Sequence, residues 1–221
     1  MTAALEKGHK GIGMEGPLAR WYEKTTRNAM DEFRRIAGRI RSLAPANAAV
    51  LEVAPGPGFL AIELARGGRL QVTGLDISKT FVQLARNNAA AAGVNVDFRH
   101  GNASRMPFPD EQFDLIVCRA AFKNFTDPEG ALREMKRVLR PGGRGMIFDL
   151  RRDVSMAEVK RHVDALNLRP FSRWFTLLTF QFMLLKRAYT KEAMERMVQA
   201  AGFSQAGVDT GDIGLEAWFR K

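Results

Sequence analysis

The run VLEVAPGPGFLAIELA at residues 50–65 limits the possible folds more than any other stretch of the chain. Four residues with one acid among them form an apolar strand, two prolines and two glycines break it, and a helical pattern follows. Strand, glycine turn and helix in that order are the unit of a parallel sheet with helical crossovers. Read literally, Gly56-Pro57-Gly58-Phe59-Leu60-Ala61 also satisfies the G-x-G-x-x-G/A fingerprint of dinucleotide sites. The question is therefore which nucleotide-like ligand the turn accommodates.

The rest of the chain repeats the unit. QVTGLD (71–76), VNVDFRHG (94–101), FDLIVCRA (113–120) and GRGMIFDL (143–150) read as further strands. Between them, Ser78 opens one helix that Gly93 closes, and Thr126-Asp127-Pro128 opens another that stops at Arg140-Pro141-Gly142-Gly143. Residues 17–43 predict a basic amphipathic helix, and helices are expected at about 155–167, 171–187 and 190–202. SQAGVDTG and LEAWFRK supply two last strands. The expected fold is α/β: a doubly wound, Rossmann-like domain with a mostly parallel central sheet and helices on both faces.

Ligands of such sheets bind beyond the carboxyl ends of the strands, so the residues there carry the functional reading. Glu52 stands just before the turn, where a carboxylate would repel a pyrophosphate. Pro55 and Pro57 each remove a backbone N–H donor that a phosphate needs. An acid at this place suits a ligand bearing an ammonium or sulfonium. Asp76 ends the second strand, where a carboxylate can accept from both hydroxyls of a ribose. Asn102 follows the third strand, where an amide can pair with an adenine edge or, equally, stabilise its own loop.

Four pieces in this order resemble the class I S-adenosylmethionine-dependent methyltransferases: VLEVAPGPG, VTGLDIS, HGNASRMPFPDEQFDLIVCRAAF and ALREMKRVLRPGGRGMIFDL. The resemblance implies a methyltransferase domain over 46–221, an N-terminal helical cover over 1–45 and a helical substrate lid at about 151–189. It implies S-adenosylmethionine as cofactor, held by Glu52, Ala54, Pro55, Gly56, Gly58, Phe59, Asp76, Ile77, Asn102, Ala103 and the backbone of Arg119. Ala54 stands where that family usually has glycine. AFKNFTD (121–127) and the helix after it resemble, more locally, the ubiquinone/menaquinone-biosynthesis C-methyltransferases.

For the acceptor the residues speak less directly. Trp21 and Tyr22 resemble an aromatic pair that closes over cofactor, with core packing as the rival reading. Phe122 and Lys123 follow the fourth strand, where acceptors are met; Tyr22, Lys123 and Asn124 are the candidates for a catalytic part. Arg151 and Arg152, just past the fifth strand, are placed to receive an acidic group on a substrate. RPFSRWFTLLTFQFMLLKR (169–187) is apolar almost all round, and Phe175 and Phe182 are expected to line a lid. A dimer contact, an interfacial membrane helix and a plain core helix are the other readings of that segment.

Charge adds a further handle. The formal net charge is +10, concentrated in two segments: nine Lys/Arg against five Asp/Glu in 1–45, and nine against three in 151–191. That surplus could draw an anionic small molecule, nucleic acid or an acidic membrane surface, or serve solubility alone. RNA methylation is the alternative the charge motivates, and a nicotinamide oxidoreductase is the one the fingerprint motivates. A single cysteine, Cys118, rules out an internal disulfide framework and any cysteine-rich zinc site; with no signal-peptide pattern at the start, a cytoplasmic enzyme is expected. The small-molecule acceptor remains the primary partner, with no metal required and a homodimer left open.

Overall fold

A computed structural model describes residues 8–11, 13–166 and 169–221. Among them a seven-stranded sheet runs in the order β3-β2-β1-β4-β5-β7-β6. Its strands are β1 (Ala49–Val53), β2 (Gln71–Asp76), β3 (Asp97–His100), β4 (Phe113–Arg119), β5 (Leu139–Leu150), β6 (Gln205–Thr210) and β7 (Gly214–Arg220). The first five pair in parallel, and β7 pairs antiparallel with both β5 and β6. Strand order turns back between β1 and β4, so the crevice beyond Val53 and Arg119 is the switch point where doubly wound sheets take ligands.

Two apolar layers cover the sheet. On one face, α2 (Met30–Leu43), α3 (Phe59–Ala65) and α4 (Lys79–Ala91) bring Phe33, Ile40, Leu60, Leu64, Val82 and Ala85 onto Val50, Val72 and Val117. On the other, α5 (Pro128–Val138) and α9 (Lys191–Ala200) bring Leu132, Met135, Met194 and Val198 onto Leu51, Ile116, Ile147 and Phe219. This is why β1 and β4 read as nearly unbroken apolar runs: alternate side chains meet different helices, and neither set meets water.

Helix starts follow the sequence signals. The Ser78 hydroxyl accepts from the Phe81 amide at 3.0 Å, and the Asp127 carboxylate accepts from the Gly130 amide at 2.8 Å behind Pro128. Each such cap is worth about 1 kcal/mol. One expectation is corrected. The helix read over 17–43 is two helices, α1 (Gly16–Thr26) and α2, joined by a 3-10 turn at Arg27–Ala29. The break lets α1 lie on α4, with Tyr22 edge-on to Phe81 at 5.7 Å, while α2 packs on α3.

Helices α6 (Met156–Ala165), α7 (Pro170–Thr179) and α8 (Leu185–Arg187) form the insertion after β5, with α7 passing into α8 through a π-helical turn at Phe180–Leu184. The predicted end of α6 at residue 167 falls outside the described residues. This insertion has its own small core: Val154, Val159, Val163, Phe180 and Ile213, with Leu177, Leu184 and Leu185 against it.

Candidate active site

Three left-handed residues shape the turn after β1: Ala54 (φ 57°), Gly56 (φ 55°) and Gly58 (φ 84°). Gly58 could be nothing else, because a Cβ there would sit 2.8 Å from both Ala85 Cβ and Phe98 Cζ. At Gly56 the nearest atom to such a Cβ is Tyr22 Cε1, at 3.9 Å, so this face of the loop is roofed by α1 rather than filled by the core. Ala54 holds a conformation that costs a residue with a Cβ about 1–2 kcal/mol. Its amide donates to Leu75 O at 2.8 Å and pins β1 to β2 there.

Two acids sit at the strand ends beside the turn. Glu52 is 3% exposed, and its Oε2 has no hydrogen-bond partner in the protein. Burial pushes its carboxyl up to about 8; the Ala61 amide and the Arg119 guanidinium pull the other way, and Asp76 adds to the rise. Asp76 is buried too, and burial lifts it to about 6 against the amides that hold it. Its Oδ2 accepts from Gly56 N at 2.9 Å and its Oδ1 from Ser78 N at 2.8 Å. The carboxylate is thereby fixed at the crevice floor, with lone pairs left over.

This arrangement suits a cation and not a phosphate. The Gly56 amide already points at Asp76, and Pro55 and Pro57 have none to give, so the cradle offers few donors. A buried carboxyl oxygen without a partner is costly to leave unmatched, and ionising it there requires a ligand that brings a positive donor to it. The residues present therefore fit a sulfonium nucleoside with an amino-acid tail, and they do not fit a pyrophosphate.

Residues 8–11 and 13–16 lie across the crevice as a strap. Ser78 Oγ donates to Met14 O at 2.6 Å, and the Glu15 carboxylate accepts from the amides of Lys79 and Thr80 at 3.0 Å each, and from the Thr80 hydroxyl. A carboxylate there also meets the positive end of α4. Further on, Lys10 N donates to Asn124 O at 2.7 Å, and Gly8 packs so closely on Ile77 and Asn102 that a Cβ would meet both within 3 Å. Asn102 Oδ1 accepts from Ser104 N at 2.9 Å, which leaves its amide nitrogen facing the strap. Ala103 follows it in the same loop. No sequence signal marked the strap.

Several expected site residues lie elsewhere. Phe59 has its ring in the core, 5.9 Å from Phe33, so only its backbone borders the turn. Trp21 points outward at 55% exposure, while its neighbour Tyr22 covers the glycine loop. Phe122 is fully buried between Phe125 and Tyr189. The Lys123 side chain is 4% exposed, with Nζ 2.7 Å from both Asp149 Oδ1 and Ala120 O, so it braces the loop after β4 and presents nothing to an acceptor. Arg151 is engaged by Asp153 and Glu158 and by Asp212 O. The Arg119 side chain turns away to Glu32 at 2.7 Å and lies over the Phe33 ring. Asn124 alone of the post-β4 candidates stands at the mouth, beneath the strap and accepting from Arg187 at 3.4 Å.

Phe175 and Phe182 are corrected as well. Phe175, in α7, and Phe182, in the π-helical turn after it, are 50% and 59% exposed, while Leu177 and Phe180 do the packing. Phe180, two residues before Phe182, is the aromatic that turns inward. The partners Glu32 and Asp149 were missed by sequence reasoning; both are long-range contacts that no local pattern announces.

The comparisons agree with this geometry. Residues 51–147 match the family model described as a methyltransferase domain. A ubiquinone/menaquinone biosynthesis C-methyltransferase UbiE from Serratia proteamaculans is 30% identical over 185 residues, covering 77% of this chain and 73% of that protein. A demethylmenaquinone methyltransferase from Deinococcus radiodurans is 39% identical over 121 residues, 54% of this chain, and the chain spans half of that relative's length. A crystal structure of a SAM-dependent methyltransferase from Aquifex aeolicus superposes with a TM-score of 0.69 at 18% identity, over 91% of this chain and 96% of its own, which is a likeness of fold. The chain belongs to the class I S-adenosylmethionine-dependent methyltransferases. Its more local likeness is to the quinone-biosynthesis C-methyltransferases among them.

Proposed function

We propose that this chain transfers a methyl group from S-adenosylmethionine to a ring carbon of a small, lipophilic quinol. The donor half rests on one observation above others: the buried Glu52 oxygen that lacks a partner, at the foot of a turn with three left-handed residues. When bound, the cofactor supplies a sulfonium methyl open to displacement by a nucleophile aligned behind it. Glu52 meets the positive methionine end, and Asp76 holds the ribose hydroxyls with the lone pairs that Gly56 and Ser78 leave. Ile77 packs on the adenine, and Asn102 and Ala103 meet its edge. The backbone of Ala54–Gly58 and of Arg119 passes close to the ligand, and Tyr22 roofs it. Alignment alone can supply roughly 7–11 kcal/mol of barrier lowering; as the C–CH3 bond forms, the S–CH3 bond breaks to leave a neutral thioether, and the quinol gives up one proton to solvent at the mouth.

The acceptor half rests on the relatives, whose names specify quinone C-methylation, and on the loop after β4 that resembles theirs. Lys123 and Asp149 hold that loop rigid, and Asn124 orients the acceptor at the mouth. The test uses donor labelled in its methyl group with a panel of short-chain naphthoquinols and benzoquinols, phenols, thiols and amines. Label is expected on a quinol ring carbon. Label confined to thiols or amines would overturn the acceptor assignment and keep the donor; label on none, with no donor binding by calorimetry, would overturn both.

A further inference from the structure

The insertion helix has an outer face that the site does not use. Phe175 (50%), Phe182 (59%) and Met183 (43%) are exposed there, beside an exposed Trp174, while Leu177, Phe180, Leu184 and Leu185 take the inner face. From residue 170 to 187 there is no acid. Across 151–191, nine Lys/Arg face three Asp/Glu, and those three acids are already engaged: Asp153 and Glu158 by Arg151, and Asp164 by Arg173. Lys186 is exposed with its ammonium 5.8 Å above the Phe182 ring.

We propose that this outer face, formed by α7, the π-helical turn and Lys186 of α8, docks on an anionic lipid bilayer. A helix lying in the interface plane needs aromatic and aliphatic side chains on one face and a basic, acid-free surround, and those are the properties combined here. Lysine and arginine stems lie along the apolar surface while their charges reach the headgroups. A second copy of the chain fits less well, because a two-fold contact through this face would set two strongly basic segments against each other. The chain's own site is no rival occupant, since the inner face is the one packed on α6 and Ile213.

The helix also ends where an acceptor would be handed over. Arg187, in its last turn, contacts Asn124 at 3.4 Å, and Tyr189 just beyond it packs on Phe122 and accepts from Lys10 of the strap at 3.1 Å. A lipophilic acceptor leaving the bilayer along α8 would therefore reach the post-β4 loop without crossing bulk water. In naming the acceptor's source, this inference rests on the proposed function; as a surface, it stands on the helix alone.

Co-sedimentation with vesicles of phosphatidylcholine, with and without phosphatidylglycerol, tests it. Wild-type chain is expected to sediment with the anionic vesicles, less with neutral ones, and less as salt rises. The double variant Phe175→Ser/Phe182→Ser is expected to lower the partition coefficient about tenfold or more, with unchanged melting temperature and S-adenosylhomocysteine affinity. Equal sedimentation of variant and wild type, no vesicle binding, or a wild-type dimer in light scattering that the variant abolishes would each overturn the proposal. Turnover of a short-chain quinol without vesicles separates the two readings. If vesicles bind and no quinol is methylated, only the acceptor assignment falls; if quinol is methylated and vesicles do not bind, only the docking falls.

Discussion

The crevice beside β1 and β2 and the insertion after β5 were both read from apolar and charged residues, yet they came out differently. In the crevice, Gly58 and Asp76 are held by neighbours that leave almost no freedom: a Cβ at Gly58 would collide with two side chains, and both Asp76 oxygens are taken by backbone amides. In the insertion, Phe175 and Phe182 turn to solvent, and the packing is done by Leu177, Phe180 and Leu184. Strand ends have one geometry, whereas a helix that is apolar all round has several ways to face. Residues at the strand ends could therefore be placed from the sequence, whereas the facing of the insertion helix could not.

Substitutions can break or sharpen that contrast. The largest effect is expected at Lys123→Met, which strands the buried Asp149 charge at a cost of about 3–5 kcal/mol. For a chain of this size that is a fall in melting temperature of roughly 10 °C. Lys123→Met/Asp149→Asn should recover most of it in a thermal melt; if it does not, the pair is not what holds the loop. Next, Asp76→Asn should weaken S-adenosylhomocysteine binding by about 1.5–3 kcal/mol, ten- to a hundredfold and more, by calorimetry. Unchanged affinity would take Asp76 out of the site. The smallest effect is expected at Ala54→Gly, which relieves the left-handed backbone and should raise stability by up to about 1 kcal/mol in denaturant unfolding. A loss of stability there would mean that the turn carries no strain.

Much of the sheet could be read in advance because short apolar runs, glycine turns and the caps at Ser78 and Asp127 are local signals. The two acids of the crevice were legible for the same reason, since Asp76 ends a strand and Glu52 stands one residue before the end of another. The pairs Lys123–Asp149 and Arg119–Glu32 were not: their partners lie on other elements, and a charged residue after a strand looks the same whether it faces a ligand or a buried counter-ion. The strap was hidden because its grip is a carboxylate on the first turn of α4 and carbonyls along a glycine-rich segment. The π-helical turn in the insertion shifts the helical phase, so spacing alone could not choose between Phe180 and Phe182 as the buried ring.

Glu52 gives the sharpest handle on the crevice. In the free protein its carboxyl holds a proton up to about pH 8, while in the unfolded chain it would lose that proton near pH 4. The native state thus binds more protons across that window, and this group's contribution to the stability of the free protein falls as pH rises through it. A cationic ligand reverses the preference by favouring the carboxylate. Asp76, lifted to about 6, is largely ionised by pH 7 and does not obscure the signal.

Calorimetric titration of S-adenosylmethionine at pH 7, in buffers of different ionisation enthalpy, counts the protons released on binding. The wild type should release about one and the Glu52→Gln variant almost none, with markedly weaker binding in the variant. Tight binding with no proton released by the wild type, or the same release from both proteins, would contradict a crevice built around a buried acid for a positively charged ligand.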